Sequence, residues 1–114
     1  MTKIAVHIFH DDPSALGSGS HVAERMRQIT AQSGVPVEVY VFGPAEKALA
    51  DPARDVFNAT IDGLIAAGVP VGTCIDIADG MGQRASFAAR GLRLEYARDA
   101  FVRLAREGAT VISF

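Results

Sequence analysis

The stretch DPARDVFNATIDGLIAAGVPVGTC, Asp51 to Cys74, decides the fold, because it reads as a helix that ends on a glycine and runs directly into a strand. Asp51-Pro52 opens the helix, Val56, Phe57, Ile61, Leu64 and Ile65 form its apolar stripe, and Gly68 ends it. The apolar run from Pro70 to Cys74 or Ile75 is the strand.

The alternation continues in both directions. Upstream, Lys3 to Phe9 is a short apolar run rich in β-branched residues, closed by the polar loop His10-Asp11-Asp12-Pro13-Ser14, and it predicts a buried strand. Val22, Met26, Ile29 and Thr30 then recur at helical spacing between Ser18 or Ser20 and Gln32, with Ser20 as cap and Gly34 as stop. Val37, Val39 and Val41 alternate with Glu38 and Tyr40 in a second strand, Val35 to Phe42. Gly43-Pro44 closes it, and Pro44 suits the first turn of a short helix through Ala50.

Downstream of Cys74 the pattern is less regular: a short helix or turn around Ile77 to Met81, a helical piece near Ser86 to Ala89, and a brief strand near Leu92 to Glu95. Ala97 to Glu107 is helical, with Ala100, Phe101 and Leu104 inward, and Ala109 to Phe114 is a last apolar strand. Apolar strands that alternate with helices require a parallel sheet covered on both faces, so the expected fold is α/β, a single-domain three-layer α/β/α sandwich.

Composition bounds the function. A chain of 114 residues is one domain, residues 1–114, since domains run to roughly 100–200 residues. With 49% hydrophobic residues and a mean hydropathy of +0.21, part of its apolar surface is expected to meet another subunit, unless Ala-rich helices account for the excess. A net charge of −2 with interspersed signs argues against nucleic acid, so no nucleic-acid partner is expected. No run reaches the roughly 18 apolar residues of a membrane span, and no secretory cleavage pattern follows Met1, so no membrane partner and a cytoplasmic location are expected. The single cysteine forms no internal disulfide.

Ligands of parallel sheets bind beyond the carboxyl ends of the strands, which directs attention to His10 to Ser14, Phe42 to Pro44, Cys74 to Asp79, and Tyr96. Cys74 precedes a possible helix start, where backbone N–H groups and the helix dipole stabilise a thiolate, whereas the carboxylates of Asp76 and Asp79 oppose one. A small buried hydrophobe at the end of a core strand is the competing description of the same residue. His10 would reach Cys74 as a thiolate–imidazolium partner if the first and third strands are neighbours. His7 is expected in the core and His21 exposed, and the three histidines make no metal motif with Cys74.

Gly17-Ser18-Gly19-Ser20-His21 reads as a loop able to present amides to an anion, or simply as a turn with a serine cap, and it lacks the phosphate-binding glycine fingerprints. The ligand-binding candidates are therefore Asp11, Ser18, Gly19, Ser20, Gly43 and Asp76.

In sequence the chain resembles the DsrE/DsrF-like family of small sulfur-relay-type α/β proteins. The resemblance rests on Lys3-Ile4-Ala5-Val6-His7-Ile8-Phe9, on Val37-Glu38-Val39-Tyr40-Val41-Phe42-Gly43 and on Gly68-Val69-Pro70-Val71-Gly72-Thr73-Cys74, then on Ala78, Gly82 and the closing Ala109-Thr110-Val111-Ile112-Ser113-Phe114. It implies a five-stranded parallel sheet and a homo-oligomer, trimer or hexamer, with the site near subunit contacts. It also implies a cysteine at the end of the third strand that carries persulfide sulfur between donor and acceptor proteins, the position of Cys74, with no cofactor. The acidic segment after Cys74 and the lack of a second cysteine depart from a self-sufficient relay. Two other functions fit the residues: a non-catalytic oligomer that binds a small anion or nucleotide in the strand-exit crevice, and a structural or interaction module built on the faces around Phe57, Phe87 and Phe101.

Overall fold

The computed structural model describes residues 2–114. Five parallel strands, β1 (Lys3–Ile8), β2 (Val37–Val41), β3 (Val71–Thr73), β4 (Arg93–Leu94) and β5 (Ala109–Ser113), form one sheet in the order β4-β3-β2-β1-β5. Register is carried by pairs such as Val6 with Val39 and Val39 with Val71.

Handedness distributes the helices. The chain steps from β1 to β4 in one direction across the sheet, so right-handed crossovers place α1 (Pro13–Gln28), α3 (Asp55–Ala66), α4 (Ile75–Gly80) and α5 (Arg84–Arg90) on one face. It then returns the whole width from β4 to β5, and α6 (Ala97–Arg106) lies on the other face. Val6, Ile8, Val39, Val41 and Val71 point to the first face and pack with Leu16, Ala23, Phe57, Ile61, Leu64, Ala78 and Phe87. Each of the larger side chains contributes about 1.5–3 kcal/mol by leaving water. On the second face Phe101 of α6 packs edge-on against His7 and Tyr40.

The expected sandwich is present, with corrections at three places. Helix α1 begins at Pro13, not at Ser18 or Ser20, because Asp12 caps it: its Oδ1 accepts the Ala15 N–H at 2.9 Å. The buried stripe is accordingly Leu16, Gly19, Ser20 and Ala23, and Ile29 is 49% exposed. A single turn, α2 (Thr30–Ser33), follows and stops at Gly34, whose φ is 72°. In the next helix Val56 is 76% exposed, since the first turn from Pro52 is a separate 3-10 piece that changes the phase of the stripe. The segment after β2 is also a 3-10 helix, Gly43–Ala50, entered at Gly43 with φ 73°. No helix among the described residues is long and apolar enough to cross a membrane.

Candidate functional site

The adjacent strands β3 and β4 send their following helices to opposite faces of the sheet, which opens a crevice at their carboxyl ends. Cys74 lies on one side of it and Tyr96 on the other. Phe42, Cys74, Asp76, Ile77, Tyr96, Ala97 and Arg98 line a cleft of about 660 Å³ there. Phe42, Cys74, Asp76 and Tyr96, separate strand exits in the sequence, thus meet in one place.

Cys74 is extended (φ −77°, ψ 131°) and caps α4 without a side-chain cap bond. It is 5% exposed. Its N–H donates to Glu46 Oε1 at 3.1 Å, across 28 residues of chain. The neighbouring Thr73 hydroxyl donates to the Val41 carbonyl at 2.8 Å and ties β3 to β2. On the opposite side of the sheet the Tyr40 hydroxyl donates to the Glu95 carbonyl at 2.8 Å and lies in the neighbourhood of the Cys74 thiol. Burial, then the proximity of Cys74, Glu46 and Glu95, holds the Tyr40 phenol far above its ordinary value.

Glu46 comes from the 3-10 helix and is 0% exposed. Burial pushes its carboxyl up to about 7, with the nearby Thr73 hydroxyl and the hydrogen bond from the Cys74 N–H working the other way. Its Oε2 has no hydrogen-bond partner among the described residues.

The other candidates fall elsewhere. β2 separates β1 from β3, so the neighbourhood that would have paired His10 with Cys74 does not exist within the chain. His10 is exposed; its N–H donates to the Phe114 carbonyl at 3.3 Å and its ring lies edge-on to Phe9. Asp11 is exposed, and it is its carbonyl that accepts from Arg54 Nη2 at 3.2 Å. Gly17-Ser18-Gly19-Ser20-His21 is not a loop: it lies inside α1, where the amides are committed to the helix. Ser20 Oγ donates to the Leu16 carbonyl at 2.7 Å, and a Cβ at Gly19 would sit 2.8 Å from Ile8 Cγ1. The physical basis for anion binding there is lost. Gly43 serves the turn, since a side chain at its positive φ would also run into the Phe9 ring.

His7 is half-buried, its Nδ1 3.1 Å from Ser113 Oγ, and His21 is exposed. Among the described residues no three His, Cys, Asp or Glu side chains converge as a metal site.

Glu46, Tyr40 and Arg98 were not singled out by sequence. Glu46 sits among the alanines of Pro44-Ala45-Glu46-Lys47-Ala48 and looks like a solvated helix position; the signal was its phase, for Ala45, Ala48 and Leu49 are buried with it. Arg98 enters because α6 starts at the exit of β4, which brings its charge near Asp76 and Tyr96. Asp79, one of the two carboxylates set against a thiolate, is paired with Arg84 through two contacts of 2.6 Å.

The fold defines a class: small α/β proteins with this five-stranded parallel sheet. Three solved structures share it: the conserved protein of unknown function BT1422 from Bacteroides thetaiotaomicron (TM-score 0.79, 13% identity, 98% of this chain and 94% of that one), the ychN protein from E. coli (0.77, 17%, all of both chains) and the protein of unknown function MTH1491 from Methanobacterium thermoautotrophicum (0.76, 18%, all of both chains). At these identities the likeness is one of fold. No protein-family model and no curated protein matches the sequence.

Proposed function

We propose that the protein is a persulfide sulfur carrier of the DsrE/DsrF-like type, with the Cys74 thiol as the sulfur acceptor. The observation that carries this reading is the position of the thiol at the β3–β4 crevice, beside a cleft with an Arg98 cation in its wall. The thiolate attacks the terminal sulfur of a donor's Cys–S–SH; the donor S–S bond breaks, the donor cysteine leaves as thiolate, and Cys74 becomes Cys74–S–SH. An acceptor thiolate then takes the terminal sulfur and Cys74 departs as thiolate. Electrons balance without an added oxidant or reductant.

Burial of the thiol sets a requirement: the donor must deliver its sulfur between Phe42 and Tyr96. The reading includes a homo-oligomer, trimer or hexamer, for which β5 offers an edge strand with Val111 and Ile112 exposed on opposite sides.

The test is intact mass after incubation of the reduced protein with a persulfide donor, beside Cys74→Ser. A one-sulfur gain confined to the wild type and lost to an acceptor thiol is expected. No gain in the folded wild type overturns the proposal.

A further inference from the structure

Among the described residues two carboxyl side chains are buried, and they are held differently. Glu38 is 4% exposed and meets Arg103 and Lys3. Glu46 is 0% exposed and has no ion-pair partner among the described residues. Among the described residues its only hydrogen bond is the one from the Cys74 main-chain N–H, and its second oxygen has none. A buried carboxylate without a cation is costly to keep, so its place against the single thiol of the chain calls for an explanation.

We propose that Glu46 is a positioning residue that fixes the Cys74 main chain and sets the charge of its thiol: as a carboxylate it holds the thiol protonated, and once protonated it lets the thiol ionise. The contact of Oε1 with the Cys74 nitrogen places the carboxyl within a few bonds' reach of Sγ. Like charges inside a protein disfavour each other, so a carboxylate held at the Cys74 main chain opposes a thiolate on the same residue. The groups that face this pair are few. They are the Tyr40 hydroxyl from β2, the Thr73 hydroxyl from β3, Asp76 on α4, and Tyr96 and Arg98 across the cleft; Glu95 lies behind Tyr40 with its carboxylate on Arg103. Tyr40 acts in the opposite sense to Glu46, because its hydroxyl can turn from the Glu95 carbonyl to a thiolate. That burial pushes Glu46 up to about 7 puts its own proton in play over the pH range in which thiols begin to ionise.

This inference deepens the sulfur-carrier reading and rests on it for its purpose, but it is tested without any sulfur donor. The experiment is the rate of Cys74 alkylation by iodoacetamide in the native protein from pH 5.5 to 10, for wild type and Glu46→Gln, with circular dichroism as the check on folding. Gln keeps an oxygen for the Cys74 N–H. The wild-type profile is expected to be broader than one ionisation, and the Gln variant to follow a single ionisation at lower pH, with alkylation at pH 8 faster by roughly 5–10-fold. Superimposable profiles, or slower alkylation of the variant, overturn the proposal and leave Glu46 as a main-chain anchor only. Should the variant not fold, carbon-13 NMR titration of the Glu46 carboxyl decides: two steps in the wild type and one in Cys74→Ser support the pair, and identical single steps overturn it. Loss of sulfur uptake with the pH effect intact removes the carrier reading alone, and the converse removes this one alone.

Discussion

Arg90 Nη1 donates to the Leu49 carbonyl at 2.6 Å, and the same guanidinium reaches Asn58 Oδ1 and Asp62 Oδ1 at 2.6 Å each. Asn58 in turn donates to the Ala48 carbonyl at 2.8 Å and the Arg54 carbonyl at 2.9 Å. Irregular backbone leaves carbonyls without helical partners, and these two side chains supply them. They thereby lash the 3-10 helix that carries Glu46 to α3 and α5.

Arg90→Ala is expected to cost about 2–3 kcal/mol, because a charged donor is lost from carbonyl and amide oxygens left inside. Arg90→Lys should recover less than half, since an ammonium lacks the fork that spans three acceptors. Urea denaturation measures both; a loss below about 0.5 kcal/mol for the alanine variant would contradict the clamp.

Glu46→Gln should change how stability depends on pH. The carboxyl titrates near 4.5 when unfolded and about 7 when folded, so between these values the folded chain holds a proton that the unfolded chain has released. Stability therefore falls as pH rises through that window, by on the order of 3 kcal/mol once above 7. His7, whose imidazole burial holds below its ordinary value, slopes the other way up to about 6.5. Comparison of wild type with variant cancels that contribution: the Gln protein gains on the wild type from pH 4.5 to 7.5, and a constant difference would refute the assignment.

Tyr40→Phe removes the hydroxyl from the Glu95 carbonyl. A stability loss of about 1 kcal/mol is expected, as for an ordinary hydrogen bond. Slower alkylation of Cys74 at pH 8 should accompany it, opposite to Glu46→Gln. A faster thiol would show that the hydroxyl does not support the thiolate.

Arg103 bonds Glu38 Oε2 at 2.8 Å, Glu95 Oε2 at 3.0 Å and Glu107 Oε1 at 2.9 Å. Burial alone would raise the Glu38 carboxyl, but its bonds to Arg103 and Lys3 hold it below its ordinary value. Its stabilisation is thus complete above about pH 4.5 and is lost as pH falls through the lowered folded value. Arg103→Met should cost about 3 kcal/mol at pH 7, and the variant and wild type should converge in acid. Parallel acid-unfolding curves would show that the pairing does not carry the effect.

Gly43→Ala places a Cβ at positive φ and into the Phe9 ring, which is expected to cost about 2 kcal/mol or more. Gly17→Ala, in α1 with open space around it, should instead be neutral or stabilising. Thermal midpoints of the two variants test the contrast; equal midpoints would remove it.

Much of the fold was legible because hydrophobic period is local. Val37-Glu38-Val39-Tyr40-Val41 announced β2 at sight, and Gly34 and Gly68 marked true ends. Asp12-Pro13 reads locally as part of a polar loop although it starts α1, and the glycine at position 19 of that helix has a tertiary reason, since it lies against Ile8. The site was legible only in Cys74, Asp76, Phe42 and Tyr96, each placed at a strand exit. Glu46 was not, for its phase with Ala45, Ala48 and Leu49 is the one local sign of burial and a solvated glutamate among alanines reads almost the same.

By itself the sequence determined the order and kind of the elements and, through their alternation, a parallel sheet in three layers, since periods of two and 3.6 residues are set by neighbours along the chain. The tertiary structure alone decided strand order, and with it which exits meet. Pairing between distant strands put β2 between His10 and Cys74, opened the crevice between β3 and β4, and brought Glu46 to the Cys74 N–H. Those contacts are long-range, and a local pattern carries no record of them.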